Sequence, residues 1–174
     1  MSYFEDLRIG EQTVYGGHTF GANEIKAFAA HFDPQPFHLD EEAAVRSLFG
    51  ALCASGWHTV AICMRLLVDC RSREDEASRA CGKPVAQAGP SPGVRELKWL
   101  KPVYAGDTIS YAGEIVELRE LKSRPQWGLM TVRNTGTNQH GEPVLSFLGT
   151  VLVERRACLR SGDGRCERTK RRGR

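Results

Sequence analysis

The fourteen residues S-G-W-H-T-V-A-I-C-M-R-L-L-V, Ser55 to Val68, decide the architecture. At helical spacing they set Trp57, Val60, Ala61, Met64, Leu67 and Val68 on one face, while Ile62, Cys63 and Leu66 make the flanks apolar as well. A surface helix keeps a polar stripe; one that is apolar nearly all round is expected to be buried on most sides. At 1.5 Å per residue it runs about 21 Å, enough to cross a small domain. Ser55 stands where an N-cap belongs.

Two shorter helices precede it. Asn23 is placed to cap E-I-K-A-F-A-A-H-F, whose Ile25, Phe28 and Ala29 share a face, and Asp33 before Pro34 ends it by Phe32. Asp40 is placed to cap E-E-A-A-V-R-S-L-F, with acids in the first turn and Gly50 as the stop. Beyond the long helix, Arg71 to Gly93 is charged and then rich in Gly, Pro and Ala, which predicts a long loop. The period then changes to two. Leu97 and Trp99; Ile109, Tyr111 and Ile115; Met130 and Val132; Leu145 and Phe147 mark four strands. A-G-D at 105–107 and N-Q-H-G-E-P at 138–143 are turns, which puts His140 in solvent. Helices first and antiparallel strands after predict an α+β domain, a curved sheet wrapped around the apolar helix. An open edge or helix flank would remain, which favours a homodimer.

The chain has 174 residues and a formal charge of +3. Residues 155–174 hold nine Lys/Arg and two acids, so the preceding 154 carry fifteen basic and nineteen acidic groups. The domain is therefore expected to span 1–154 and to be mildly acidic, which argues against a nucleic-acid surface. The basic remainder has almost no apolar content and is expected to be a solvated tail. No apolar run of membrane-spanning length and no signal pattern at M-S-Y-F-E-D-L-R predict a cytoplasmic chain with no membrane association. The six cysteines form no C-x-x-C pair and read as small hydrophobes.

The chemistry concentrates in A-H-F-D-P-Q-P-F-H-L-D, Ala30 to Asp40. Pro34 and Pro36 prevent a continuous helix and stiffen the backbone between Asp33 and His38. A carboxylate and an imidazole converging on one small volume form an acid–base pair, and the neighbouring Phe32 and Phe37 are expected to raise the Asp33 pKa. The same residues admit two other readings. Asp33 can cap a turn while His38 is structural, or H-F-D, His31 to Asp33, can begin a two-histidine, one-carboxylate metal triad with His38 or His58. Gly56 opens the long helix, where free amides and the positive helix end would polarise a docked carbonyl; alternatively it only permits close packing.

The blocks F-D-P-Q-P-F-H-L-D, F-G-A-L-C-A-S-G-W-H-T and L-K-W-L-K-P-V-Y-A-G-D-T-I resemble the MaoC-like dehydratases, which include the R-specific enoyl-CoA hydratases. The resemblance covers about residues 5–154, and Asp33, Pro36 and His38 fall on the Asp, Pro and His of the signature D-x-N-P-x-H. It implies a hot-dog fold, the hydration of an enoyl-thioester such as an acyl-CoA, and no cofactor or metal. It also implies Asp33 and His38 as the catalytic pair and Gly56, with Ser55 beside it, as the site of the thioester oxygen. Gln35, which the resemblance puts with Gly56 and Ser55 among the substrate-binding residues, stands where the signature has Asn and lengthens a side chain that helps shape the site. Met64 stands where some family hydratases carry a serine that supports the pair. The alternatives are a thioesterase on the same fold, whose helix carboxylate is missing from Ser55–Val68, and a non-catalytic acyl-binding or partner subunit. Arg95, Lys98 and Lys101 are basic groups available for coenzyme A phosphates.

Overall fold

The structure, a computed structural model, describes residues 1–156. After a 3-10 turn at Phe4–Asp6 come β1 (Gln12–Thr19), α1 (Ala22–Phe32), α2 (Pro36–Leu39), α3 (Glu41–Val45) and α4 (Gly56–Ala80). Four strands follow: β2 (Gly93–Trp99), β3 (Thr108–Glu120), β4 (Trp127–Thr137) and β5 (Pro143–Glu154). The strands make one antiparallel sheet in the order β1-β3-β4-β5-β2. The two strands that bracket the helices in sequence are thus the two edges, and the helical segment between them crosses one face. This is the hot-dog arrangement, an α+β fold with a sheet curled about a long helix.

The core lies between α4 and the sheet. Phe20, Ile25, Cys63, Ile109, Tyr111, Val144, Leu145 and Phe147 are almost wholly excluded from water. Thr59, Cys63 and Leu67, at i, i+4 and i+8, are the buried row of α4, with His58 beside them. The expectation of a helix buried on most sides is corrected here. Trp57, Met64 and Val68 are 56%, 43% and 51% exposed, so the face that carries them points away from the sheet.

The long loop expected over Arg71–Gly93 is also corrected. Its first ten residues continue α4 to Ala80, making a helix of 25 residues. The stretch D-C-R-S-R-E-D-E-A-S-R-A contains no Gly or Pro, and its Arg, Glu and Ala are strong helix formers, so charge there marks a solvated face. Arg65 and Asp69 bridge one helical turn at 2.8 Å. Gly82, at φ +66°, supplies the left-handed residue past the helix end.

Other boundaries moved as well. Gly21, not Asn23, is the N-cap of α1, and it has no side-chain cap. Asp40 caps α3 through Ala43 N–H, but that helix stops at Val45. The Ala30–Asp40 segment is broken as its prolines require, yet Pro36 serves as the first residue of the single helical turn α2 that carries His38. β1 was not anticipated, because Q-T-V-Y-G-G-H-T buries only Tyr15 and shifts register between Val14 and Gly16. His140 lies exposed in the turn between β4 and β5.

At the end of the described residues Arg155 Nε donates to Glu5 Oε1 at 2.9 Å, and Arg156 Nη1 to Asp6 Oδ1 at 2.9 Å. These two residues therefore sit with the body. Residues 157–174, the remainder of the expected tail, lie outside the described residues.

Candidate active site

Asp33 is the C-cap of α1, its N–H bonded to Ala29 O, and His38 lies in α2 three residues past Gln35. The chain between them is held by Gln35 N–H to Asp33 O at 2.7 Å and His38 N–H to Gln35 O at 2.9 Å. This turn aims both side chains at the start of α4. Ser55 Oγ donates to Asp33 Oδ2 at 2.6 Å and also accepts from Trp57 N–H at 3.3 Å, so one hydroxyl caps the helix and fixes the carboxylate. Gln35 Nε2 donates to Asp33 Oδ1 at 2.8 Å. His38 Nε2 lies 3.5 Å from Asp33 Oδ2.

The imidazole is oriented from its other side. His38 Nδ1 is 2.7 Å from Cys53 O, and a carbonyl can only accept, so Nδ1 carries the proton. Whenever the ring is neutral, Nε2 is then an acceptor facing the carboxylate. The Cys53 carbonyl is itself anchored, because Cys53 bridges Tyr104 and Ala54 N–H donates to Val103 O at 2.8 Å. Its thiol, 3.7 Å from His38 Nδ1, is pushed up to about 11 by burial and stays protonated.

The expected rise in the Asp33 pKa is corrected. The Ser55 hydrogen bond is the largest influence and lowers it; burial opposes, and Gln35 and His38 add to the lowering. Phe32 does not enclose the carboxyl, being 73% exposed. Asp33 is thus ionised at neutral pH, with its side chain 20% accessible.

Gly56 N–H has no hydrogen-bond acceptor among the described residues. The indole of Trp99, from edge strand β2, lies over it: a Cβ at Gly56 would stand 2.5 Å from the ring, a distance no real contact tolerates. Trp99 meets Trp57 edge to face at 5.2 Å. Free amide and close packing thus coincide at this glycine.

The structure therefore gathers Asp33, Gln35, His38, Ser55 and Gly56 at one place. It does not gather the alternative metal ligands. His31 Nδ1 bonds back to Ala27 O, His58 pairs with Glu24, and no group of three metal-ligating side chains occurs among the described residues. Arg95 lies 3.9 Å from Glu117, Lys101 pairs with Glu142, and all three of Arg95, Lys98 and Lys101 are solvent-exposed. Sequence reasoning missed Ser55 as the partner of Asp33, and the Cys53 carbonyl. The first was signalled by a hydroxyl at the helix cap; a backbone carbonyl has no signal at all.

Residues 8–139 match the MaoC like domain. This chain belongs to that family. The MaoC-like dehydratase from Rhodospirillum rubrum is similar to it in structure, with a TM-score of 0.76 and 42% identity over 90% of this chain and 99% of that one. The mesaconyl-CoA hydratase of Cereibacter sphaeroides is 30% identical over 88% of this MaoC-like chain, which spans only 41% of that relative's length. The (R)-hydratase of A. caviae involved in PHA biosynthesis shares the fold at a TM-score of 0.61 and 24% identity, over 87% of this chain and 98% of that one. No helix among the described residues is long and apolar enough to cross a membrane.

Proposed function

We propose that this MaoC-like domain is a hydro-lyase that adds water reversibly across the double bond of an enoyl thioester, a coenzyme A ester. The observation that carries the reading is the convergence of two acceptors, Asp33 Oδ2 and His38 Nε2, next to an unpartnered N–H at a helix N-terminus. Two acceptors 3.5 Å apart suit a water that donates one hydrogen to each. As its oxygen bonds to the β-carbon, one proton passes to the pair and the carbonyl oxygen gains negative charge. Gly56 N–H and the positive end of α4 stabilise that charge. The pair then returns a proton to the α-carbon, giving the 3-hydroxyacyl thioester, and the reverse sequence is dehydration. No residue role here requires a metal or redox cofactor.

A second copy of the chain fits this reading. Trp57, Ala61, Met64 and Val68 form an exposed apolar stripe on α4, and β2 offers an unpaired edge with Val94 and Trp99 half exposed. We take the protein to be a homodimer through these surfaces. The free cysteines among the described residues fit a reducing, cytoplasmic setting.

The test is a panel of enoyl-CoA and saturated acyl-CoA esters, with mesaconyl-CoA among the first because of the relative that bears its name. Loss of enoyl absorbance without free thiol is expected. Rapid thiol release without hydration would instead make the protein a thioesterase, and ligand binding with neither reaction would make it a non-catalytic acyl-binding subunit.

A further inference from the structure

A second titratable cluster lies outside the pair. Glu24 Oε1, in the first turn of α1, is 2.7 Å from His18 Nε2 at the end of β1 and 3.1 Å from His58 Nε2 in the first turn of α4. An ionised carboxylate only accepts, so both histidines donate to the same oxygen. His58 is 3% exposed and stacks flat on Phe28 of α1, with centroids 4.4 Å apart at 4°. Its other nitrogen, Nδ1, is buried with no partner among the described residues. Burial, the largest influence, lowers the His58 pKa, with Glu24 opposing, so the ring is held neutral with its proton on Nε2.

These contacts define how α1 lies on α4. The two helices are joined by the Glu24–His58 hydrogen bond, by the Phe28–His58 stack and by the Asp33–Ser55 hydrogen bond. Glu24 and Asp33 stand at opposite ends of α1, about 13 Å apart along its axis. A small rotation of α1 would move Asp33 relative to Ser55 and His38. If Glu24 let go, His58 would also be left with both ring nitrogens buried and unpaired, which disfavours its present position. We infer that Glu24 is a positioning residue: by gripping His18 and His58 it sets the angle of α1, and so the place of the Asp33 carboxylate. The inference rests on the hydratase reading for its effect on turnover, but its structural half does not.

The test compares Glu24→Ala, Glu24→Gln and the exposed α4 control Arg65→Ala. Each is measured for kcat and KM on the thioester that wild type turns over, and for the carbon-13 titration of the Asp33 carboxyl. Glu24→Ala is expected to lower kcat on the order of 10²-fold with KM near wild type. Asp33 should titrate at higher pH in that variant as Ser55 loosens. Glu24→Gln keeps an acceptor oxygen in place and should recover most of both, and Arg65→Ala should change neither. An unmoved Asp33 titration in Glu24→Ala overturns the inference, whether or not kcat falls. Should Glu24→Ala not fold, Glu24→Asp withdraws the carboxylate by one methylene and must show the same two effects, or the inference fails. Because the titration needs no turnover, a wild type without hydratase activity would sink the functional reading alone.

Discussion

Ser55 does more at the scale of single residues than its place in the sequence suggests. Its hydroxyl lowers the Asp33 pKa and caps α4, so Ser55→Ala should have two separable effects. Without the donor, the Asp33 pKa rises, and the acid limb of the pH–activity profile should move to higher pH. The stability that ionised Asp33 contributes is present above its unfolded pKa and lost as pH falls through its depressed folded value, so in the variant that contribution should shrink and its loss should be complete at a higher pH. The missing cap should cost about 0.5–2 kcal/mol at neutral pH. An acid limb that stays put would show that Ser55 does not govern Asp33. For the pair itself, Asp33→Asn and His38→Ala should each lose about 10²–10⁴-fold in turnover. The double variant should be little worse than either, since paired groups act as a unit. Near-wild-type kcat in a folded single variant would remove that residue from the chemistry.

The start of α4 is where packing and chemistry meet at the scale of elements. Gly56→Val would drive a side chain into Trp99, so a loss of turnover could arise from the indole or from the amide. Combining Gly56→Val with Trp99→Ala separates them, because the second change vacates the space. If Gly56 N–H holds the thioester oxygen, the double variant should remain slow while Trp99→Ala alone is much faster. Recovery of turnover in the double variant would leave Gly56 as a packing residue only. The elements themselves were unequally legible. β3 alternates buried with less buried side chains and stands out at period two, while β4 and β5 keep that alternation over part of their length. α4 announced its start through Ser55 but not its end, because a solvated charged face looks like a loop when apolar periodicity is the only guide. β1 had no pattern to read, since pairing with β3 rather than side-chain burial defines it. Asp33, Gln35 and His38 were visible because two prolines fix their spacing. The Ser55–Asp33 pairing and the Cys53 carbonyl were not, because they arise only through tertiary contact.

For the molecule as a whole, the exposed stripe of α4 makes a prediction about assembly. Met64→Glu or Val68→Glu places a charge on that stripe without touching the buried Cys63–Leu67 row. Sedimentation velocity should show wild type as a dimer and these variants shifted toward monomer. A wild type that sediments as a monomer would mean the stripe serves another purpose. The chain end makes another. Truncation after Arg156 should leave the melting temperature unchanged, whereas truncation after Glu154 also removes the ion pairs to Glu5 and Asp6. Exposed pairs of this kind contribute about 0–1 kcal/mol each, so the second truncation should show a small decrease. A large drop on cutting after Arg156 would place part of 157–174 on the body.

The indole of Trp99 resting over Gly56 also turns the helix end into an optical probe. That ring lies 2.5 Å from where a Cβ on Gly56 would stand, and it meets Trp57 edge to face at 5.2 Å, so a ligand atom arriving at the Gly56 amide should disturb both indoles. Occupancy should therefore be written in the near-ultraviolet dichroism of the tryptophan pair before a single bond is made or broken. A saturated acyl-CoA, which cannot be hydrated, would let the arrival of the thioester be watched apart from its chemistry.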